Sequence, residues 1–177
     1  MGKIRKQQPV KLFIGLIYNQ SSVLEKVKAC LKKKFAEIDF ESAPIAFAQT
    51  DYYEKEFGKN LVKKIISFKK LINPAGLDKI KIFTNKIEEK FSQNQNREVN
   101  IDPGYLDLAK LILATTKDFS HRIYLNRGIY AEVTLCYQDK MFRPFVWTYP
   151  DYKTSEYNSI FSIIRETYAG QIKNLVK

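Results

Sequence analysis

One stretch of the chain, residues 100–137, constrains the fold more than any other. It reads NIDPGYLDLAKLILATTKDFSHRIYLNRGIYAEVTLCY and contains the only histidine and two of the six arginines. Within it, an apolar run leads into the polar segment TTKD at residues 115–118 and then into two segments in which polar and apolar residues alternate. Alternation with a period of two is the pattern of a half-buried β-strand. The stretch therefore predicts a sheet, with a site where the polar segment meets the strands.

The first 116 residues of the chain alternate between strand and helix patterns. Short apolar runs bounded by turn residues predict strands at residues 11–18, 43–48, 63–72 and 110–116. Apolar residues at helical spacing predict one helix that begins at Ser21 or Ser22 and a second that begins at Leu77. The order is strand, helix, strand, strand, helix, strand, which predicts an α+β fold with a ferredoxin-like core.

Turn residues mark the boundaries of these elements. The segment TDYY at residues 50–53 predicts a polar loop after the second strand, and NPAG at residues 73–76 predicts a turn after the third. The second helix is predicted to end near Phe91, before the polar segment QNQN. The segment DPG at residues 102–104 predicts a turn that leads into the fourth strand.

An antiparallel extension follows the core. Alternating polarity predicts its hairpin and third strand at residues 121–126, 129–137 and 141–148. A C-terminal helix is predicted after them, capped near Thr154 or Ser155.

The hairpin admits two registers. A two-residue loop at residues 127–128 mixes polar and apolar residues on both faces of the strand pair. A three-residue loop at residues 126–128, with Gly128 in the left-handed conformation, gathers the apolar residues on one face, so we predict this register. It places Tyr124 opposite Tyr130 and Arg122 opposite Glu132, cross-strand pairs that each contribute about 0.2–1 kcal/mol.

Length and charge bear on domain organisation and partners. The 177 residues predict a single domain, residues 1–177. The net charge of +11 comes from 30 basic and 19 acidic residues, and this excess, nearly all lysine, favours contact with polyanions. Cys30 and Cys136 lie far apart and are predicted to be reduced, and no apolar run reaches the length of a membrane span. We expect a soluble, cytoplasmic protein without a membrane contact; its oligomeric state is left open.

Several familiar sites lack their motifs. The scattered glycines form neither the G-x-x-x-x-G-K-[ST] loop of P-loop nucleotidases nor the G-x-G-x-x-G and G-x-S-x-G elements. A zinc site would need His121 to converge with Cys30 and Cys136 from distant segments, so no metal ligand is assigned. No cofactor is identified.

We predict a site for a small anionic ligand, preferably a phosphorylated one, on the polar face of the hairpin, with room for catalysis. The predicted ligand-binding residues are Lys110, Lys117, Arg122, Tyr124, Tyr130, Glu132 and Thr134. His121 beside Asp118 is the candidate general base, because a carboxylate can fix the tautomer of an imidazole. The alternative is a hydrogen-bonded structural histidine at the start of a strand.

Two other functions are open. The lysine-rich helices could form an RNA- or protein-binding surface, and carboxylates could converge on Mg²⁺ in a metal-dependent phosphoesterase. The carboxylates in question are Asp51, Asp102, Asp118, Glu132 and Asp151. For Asp102 and Asp151, next to proline, solvated turn positions are the default. On the second helix, Lys81, Thr84 and Glu88 either edge into a cleft or form an ordinary helical neighbour group.

Eight segments together resemble the domain of unknown function 4416, an uncharacterised bacterial and archaeal family. They are PVKLFIG (9–15), TDYY (50–53), Lys81 with Thr84-Asn85, DPGY (102–105), LATTKD (113–118), HRIYL (121–125), GIYAE (128–132) and WTYPDY (147–152). The DPGY element is the most specific of them. The resemblance covers nearly the whole chain and implies no catalytic residue, cofactor or partner.

Overall fold

The computed structural model describes residues 2–4, 6–47, 60–94 and 96–175. The loop predicted at residues 50–53, and with it Asp51, lies outside these ranges. Three α-helices are described: Ser21–Phe35 (α1), Leu77–Lys90 (α2) and Ser155–Leu175 (α3). The described strands are Lys11–Tyr18 (β1), Ile38–Glu41 (β2), Ile45–Ala46 (β3), Val62–Phe68 (β4), Ser92–Gln93 (β5), Asn96–Arg97 (β6), Val99–Leu106 (β7), Lys110–Thr115 (β8), Arg122–Asn126 (β9), Ile129–Gln138 (β10) and Met141–Pro144 (β11).

Nine of these strands form one antiparallel sheet. Its main order is β11-β10-β8-β7-β1-β4-β2, with β3 paired to β4 and β9 paired to β10. The long strand β10 pairs with β9 through its first part and with β11 through its last part. Strands β5 and β6 form a separate two-stranded hairpin after α2.

Helices cover both faces of the sheet. Every residue of β1 is buried, because alternate side chains pack against different helices. Ile14 belongs to the core that β1 forms with α1 and α2. Phe13 points the other way, to α3, where its ring centroid lies 5.1 Å from that of Phe161. No helix in the described ranges is long and apolar enough to cross a membrane.

The predicted α+β class and the C-terminal helix are confirmed. The backbone N–H of Tyr157 donates to Thr154 Oγ1 at 3.3 Å, so Thr154 caps α3 as predicted. Elements β1, α1, β2, β4, α2 and β7 follow the predicted order, and their strands neighbour one another as β7-β1-β4-β2. Assignment to the ferredoxin-like fold stays a prediction.

The prediction of a turn at residues 102–104 was wrong. The three residues lie within β7, which therefore takes the place expected for the strand at residues 110–116, and that strand is its neighbour β8. Proline and glycine usually mark turns, but here both residues lie in a strand, and the close approach of its neighbour requires the glycine. A Cβ on Gly104 would lie 2.4 Å from the carbonyl oxygen of Ile112, so only glycine allows the two strands to approach.

Three other strand boundaries also differ from the prediction. The described part of the predicted segment, residues 43–47, contributes only β3, and β2 precedes it. Strand β4 ends at Phe68, and β11 ends at Pro144. Apolar composition alone places strand ends poorly, because pairing with neighbours decides where a strand stops.

The hairpin of β9 and β10 combines the two registers considered. Arg127 and Gly128 both have positive φ angles, 52° and 73°, and Asn126 pairs with Ile129, as in a two-residue loop. An irregularity before Tyr130 then shifts the pairing, so that Tyr130 faces Tyr124 and Glu132 faces Arg122. The predicted cross-strand pairs are confirmed, although the predicted three-residue loop is not the turn that produces them.

Candidate ligand-binding cleft

The sheet splits between β7 and β8. Their pairing comprises Leu106 with Leu111, Tyr105 with Ile112 and Gly104 with Leu113, and it stops at Pro103. Backbone groups of alternate residues point to the same side of a strand, so Pro103 faces β8 as Tyr105 does. Proline has no N–H to donate, and beyond it the two strands no longer pair.

Helix α2 satisfies the backbone of β7 where β8 is missing. The N–H of Ile101 donates to Glu88 Oε1 at 2.5 Å, and Lys81 Nζ donates to the carbonyl oxygen of Ile101 at 2.9 Å. Thr84, fully buried between them, donates to the carbonyl oxygen of Lys81 at 2.9 Å. Two charged side chains of a helix thus occupy the position of a neighbouring strand. Lys81 and Glu88 therefore follow the prediction that this part of the helix lies at the edge of a cleft.

A cleft of about 580 Å³ occupies the split. Helix α2 and the open ends of β7 and β8 line it, together with a short 3-10 helix, Pro150–Lys153, before α3. Its basic residues are Lys63, Lys81, Arg97, Lys117 and Arg122, and its acidic residues are Glu88, Glu89, Asp102, Glu132 and Asp151. The volume lies within the range of small-molecule sites, about 300–1,000 Å³.

The buried end of the cleft, which we call the floor, is polar. It consists of Lys63, Asn100, Asp102, Asp151 and Tyr152. Lys63 Nζ lies 2.6 Å from Asp151 Oδ2, and both side chains are almost fully buried. Asn100 Nδ2 donates to Asp102 Oδ2 at 2.6 Å. The default expectation of solvated turn positions for Asp102 and Asp151 was wrong: one lies in a strand and the other in a buried ion pair.

The exposed end, which we call the mouth, is formed by Thr116, Lys117 and Tyr149. Arg122 joins it to the sheet: its Nη1 donates to the carbonyl oxygen of Lys117 at 3.0 Å, and its Nη2 donates to the Tyr149 hydroxyl at 3.2 Å. Its Nε donates to Glu132 Oε2 at 2.9 Å. The cross-strand pair therefore holds a guanidinium group at the border between mouth and floor.

Among the described residues, Glu132 makes the most side-chain contacts of the carboxylates that line the cleft. Besides Arg122, His121 Nε2 lies 3.1 Å from Glu132 Oε2, and Thr134 Oγ1 donates to Glu132 Oε1 at 3.3 Å. Only 2% of Glu132 is exposed, so nearly all of its charge is balanced by protein groups rather than by water. The carboxylate that contacts His121 is thus Glu132, and Asp118 lies exposed at the surface.

The structure brings some of the predicted residues together and separates others. Lys117, Arg122 and Glu132 line the cleft, and His121 and Thr134 contact Glu132 from outside the lining. The remaining predicted residues, which are not part of the lining, are Lys110, Asp118, Tyr124 and Tyr130.

These four lie at the far end of β8, in the loop after β8, or on the hairpin. Lys110 begins β8, the end opposite the cleft, and its Nζ lies 2.9 Å from Asp107 Oδ2. Tyr124 and Tyr130 form an edge-to-face pair with their ring centroids 5.4 Å apart. Burial and then the nearby Asp118 carboxylate raise the pKa of Tyr130.

Burial shifts two titrating groups of the cleft. It raises the pKa of Glu88 above its ordinary value, since Lys81 and Arg97 only partly offset the loss of water. It also raises the pKa of Tyr152 well above its ordinary value, and the Asp151 carboxylate adds to the effect. The Tyr152 hydroxyl therefore keeps its proton at neutral pH and can both donate and accept a hydrogen bond.

Three residues of the floor were not predicted from the sequence: Lys63, Asn100 and Tyr152. Lys63 carries a signal, because it alternates with Ile65 in a strand and thus shares the buried face. Asn100 likewise shares a face of its strand with Asp102, two residues on, but the interpretation of residues 102–104 as a turn hid this pattern. Tyr152 lies in a short 3-10 helix, so no periodic pattern in the sequence predicts which way its side chain points.

Across the described ranges, no three His, Cys, Asp or Glu side chains are grouped in a way that could hold a metal ion.

Fold and cleft together define an α+β protein with a polar pocket at a split in an antiparallel sheet. A family described as a domain of unknown function, DUF4416, matches residues 8–168, and the chain belongs to this family. The match runs from the residues before β1 to Tyr168 in α3 and includes every lining residue of the cleft. Comparison with curated proteins gave no match, and comparison with solved structures gave none.

Proposed function

We propose that this protein binds a small anionic ligand, preferably a phosphorylated one, in the cleft between β7 and β8. The observation that carries the proposal is the mouth, where Thr116 and Lys117 line a cleft of about 580 Å³ beside Arg122. Cations and hydroxyl groups are the side chains that bind phosphate oxygens.

The hydrogen bonds of Arg122 leave capacity for a ligand. Of the five N–H groups of an arginine, one each is used by Glu132, Lys117 and Tyr149. Among the described residues no partner takes the other two, and Arg122 lines the cleft although only 3% of its side chain is exposed. A charge-assisted bond in such a place is stronger than one at an open surface.

The rival function, an RNA- or protein-binding surface on the lysine-rich helices, has less support. Lys28 Nζ lies 2.6 Å from Glu41 Oε2, and Lys32 Nζ lies 2.7 Å from Glu37 Oε2. Acidic partners thus offset part of the positive charge that α1 would present to a polyanion. Catalysis is left as an extension of the proposal, with His121 as the residue to test.

The proposal is tested by calorimetry and thermal shift with inorganic phosphate, pyrophosphate, nucleotides and sugar phosphates. A ligand present at about 100 times its dissociation constant should stabilise the fold by about 2.7 kcal/mol. Lys117→Gln should weaken binding roughly tenfold, a loss of about 1.4 kcal/mol. The matched control is Lys86→Gln, an exposed lysine of α2 outside the cleft, which should bind like the unchanged protein. Absence of any stabilisation, or equal losses in both variants, would contradict the proposal.

A further inference from the structure

We infer that the ligand carries several hydroxyl groups, as a sugar phosphate or polyol phosphate does, and that the floor of the cleft binds them through Tyr152. The inference rests on the proposed function and specifies its ligand class.

The first argument is the hydroxyl group of Tyr152. Only 3% of this residue is exposed, it lines the cleft, and its hydroxyl has no hydrogen-bond partner among the described residues. An unpartnered buried hydroxyl costs about 1–3 kcal/mol, whereas phenylalanine would fill the same space without that cost. A ligand group that enters the cleft and bonds to the hydroxyl explains why tyrosine stands here.

The second argument is the electrostatic balance around that hydroxyl. Lys63 is paired with Asp151 at 2.6 Å, and Lys81 lies 3.6 Å from Asp102. Each cation has a carboxylate beside it, so neither a second phosphate nor an ammonium group would find an excess of opposite charge. A neutral group that donates and accepts hydrogen bonds fits such a surface, and the alcohol group of a sugar does both.

The third argument is the spacing of donors and acceptors on the floor. A Cβ on Gly15 would lie 3.6 Å from the Tyr152 hydroxyl and 3.3 Å from Lys63 Cε, so these two groups sit side by side over β1. Asn100 and Asp102 form a neighbouring pair on the same face of the sheet. Ammonium, phenol, amide and carboxylate groups in one cleft match a ligand with adjacent hydroxyl groups better than a ligand with one polar atom.

The test compares phosphates that differ only in their hydroxyl groups. Calorimetry measures the affinity of sn-glycerol 3-phosphate, ribose 5-phosphate and glucose 6-phosphate against n-propyl phosphate and inorganic phosphate. We expect at least one hydroxylated phosphate to bind tenfold or more tightly than n-propyl phosphate. Equal affinity for both kinds would overturn the inference and leave the proposed function standing. If none of these phosphates binds, the result contradicts the proposed function itself and not only the inference about hydroxyl groups.

The substitution Tyr152→Phe tests the floor itself. Because it removes an unpartnered hydroxyl, the melting temperature should stay unchanged or rise, while the advantage of hydroxylated phosphates over n-propyl phosphate should be lost. Tyr157→Phe is the matched control, since Tyr157 is likewise buried but lies outside the lining. Its selectivity should equal that of the unchanged protein. Selectivity retained in Tyr152→Phe, or lost equally in both variants, would overturn the role of Tyr152.

Discussion

At the scale of single residues, the cleft depends on a buried pair of charges, Arg122 and Glu132. Arg122 and Glu132 are exposed by 3% and 2% of their side chains, so neither charge has water to compensate for a lost partner. Their pairing across β9 and β10 fixes the guanidinium group beside the mouth. Stability and ligand geometry therefore depend on the same two residues.

The substitution Glu132→Gln should destabilise the protein by about 3 kcal/mol, because it leaves the buried Arg122 charge without its carboxylate. Urea unfolding followed by circular dichroism measures this change. The control is Asp139→Asn, which removes the exposed partner of Arg143 at 3.6 Å and should change stability by less than about 0.5 kcal/mol. Equal effects of the two substitutions would mean that burial does not govern the Glu132 contact.

At the scale of elements, the contact between α2 and the open edge of β7 predicts a pH effect. Burial raises the pKa of Glu88 in the folded protein above the value in the unfolded chain. Glu88 therefore contributes stability that is fully present below the unfolded pKa and is lost as pH rises through the folded pKa. Glu88→Gln removes this dependence, so the stability of the variant relative to the unchanged protein should rise as the pH increases above the unfolded pKa of about 4.3.

Unfolding free energies measured at several pH values give this difference directly. Glu89→Gln, next to it on α2 but exposed, provides the control. A stability difference for Glu88→Gln that stays flat or falls with pH would contradict the expected sign.

Two glycines of different elements should respond to alanine in opposite directions. Gly104→Ala places a methyl group 2.4 Å from the Ile112 carbonyl oxygen and 2.5 Å from Phe13 Cζ, so we expect a loss of at least about 1–3 kcal/mol. Gly170→Ala, exposed within α3 with no atom within 4 Å of the new Cβ, should gain about 0.5–1 kcal/mol from helix propensity. Denaturant midpoints of both variants check the pair, and a tolerated Gly104→Ala would show that β7 and β8 can separate further.

At the scale of the whole molecule, the net charge of +11 should produce weak, sequence-independent attraction to nucleic acid. Because such binding releases counterions, a labelled single-stranded RNA should lose most of its affinity between about 50 and about 200 mM salt. Fluorescence anisotropy over this range provides the measurement. Affinity that survives the higher salt and depends on RNA sequence would favour the nucleic-acid rival over the small-ligand proposal.

Much of the architecture could be predicted because it follows local rules. Helices α1 and α2 carry apolar residues at helical spacing, and the Arg122–Glu132 and Tyr124–Tyr130 pairs follow from alternation about a short turn. The floor of the cleft follows no such rule. Lys63 and Asp151 are 88 positions apart, and only the packing of β4 against the segment before α3 brings them to 2.6 Å.

By itself, the sequence determined the α+β class, the two amphipathic helices before the hairpin, the cap of the third, and the two cross-strand pairs of the hairpin, because each depends on residues close together in the chain. Only the tertiary structure decided that residues 102–104 lie in a central strand and that the sheet opens beside them. The physical reason is that Pro103 lacks an N–H and Gly104 lacks a Cβ. Whether a Pro-Gly pair forms a turn or ends the pairing of two strands depends on the neighbouring strand. Here β8 pairs with β7 as far as Gly104, and side chains of α2 bond to the backbone of β7 at Ile101.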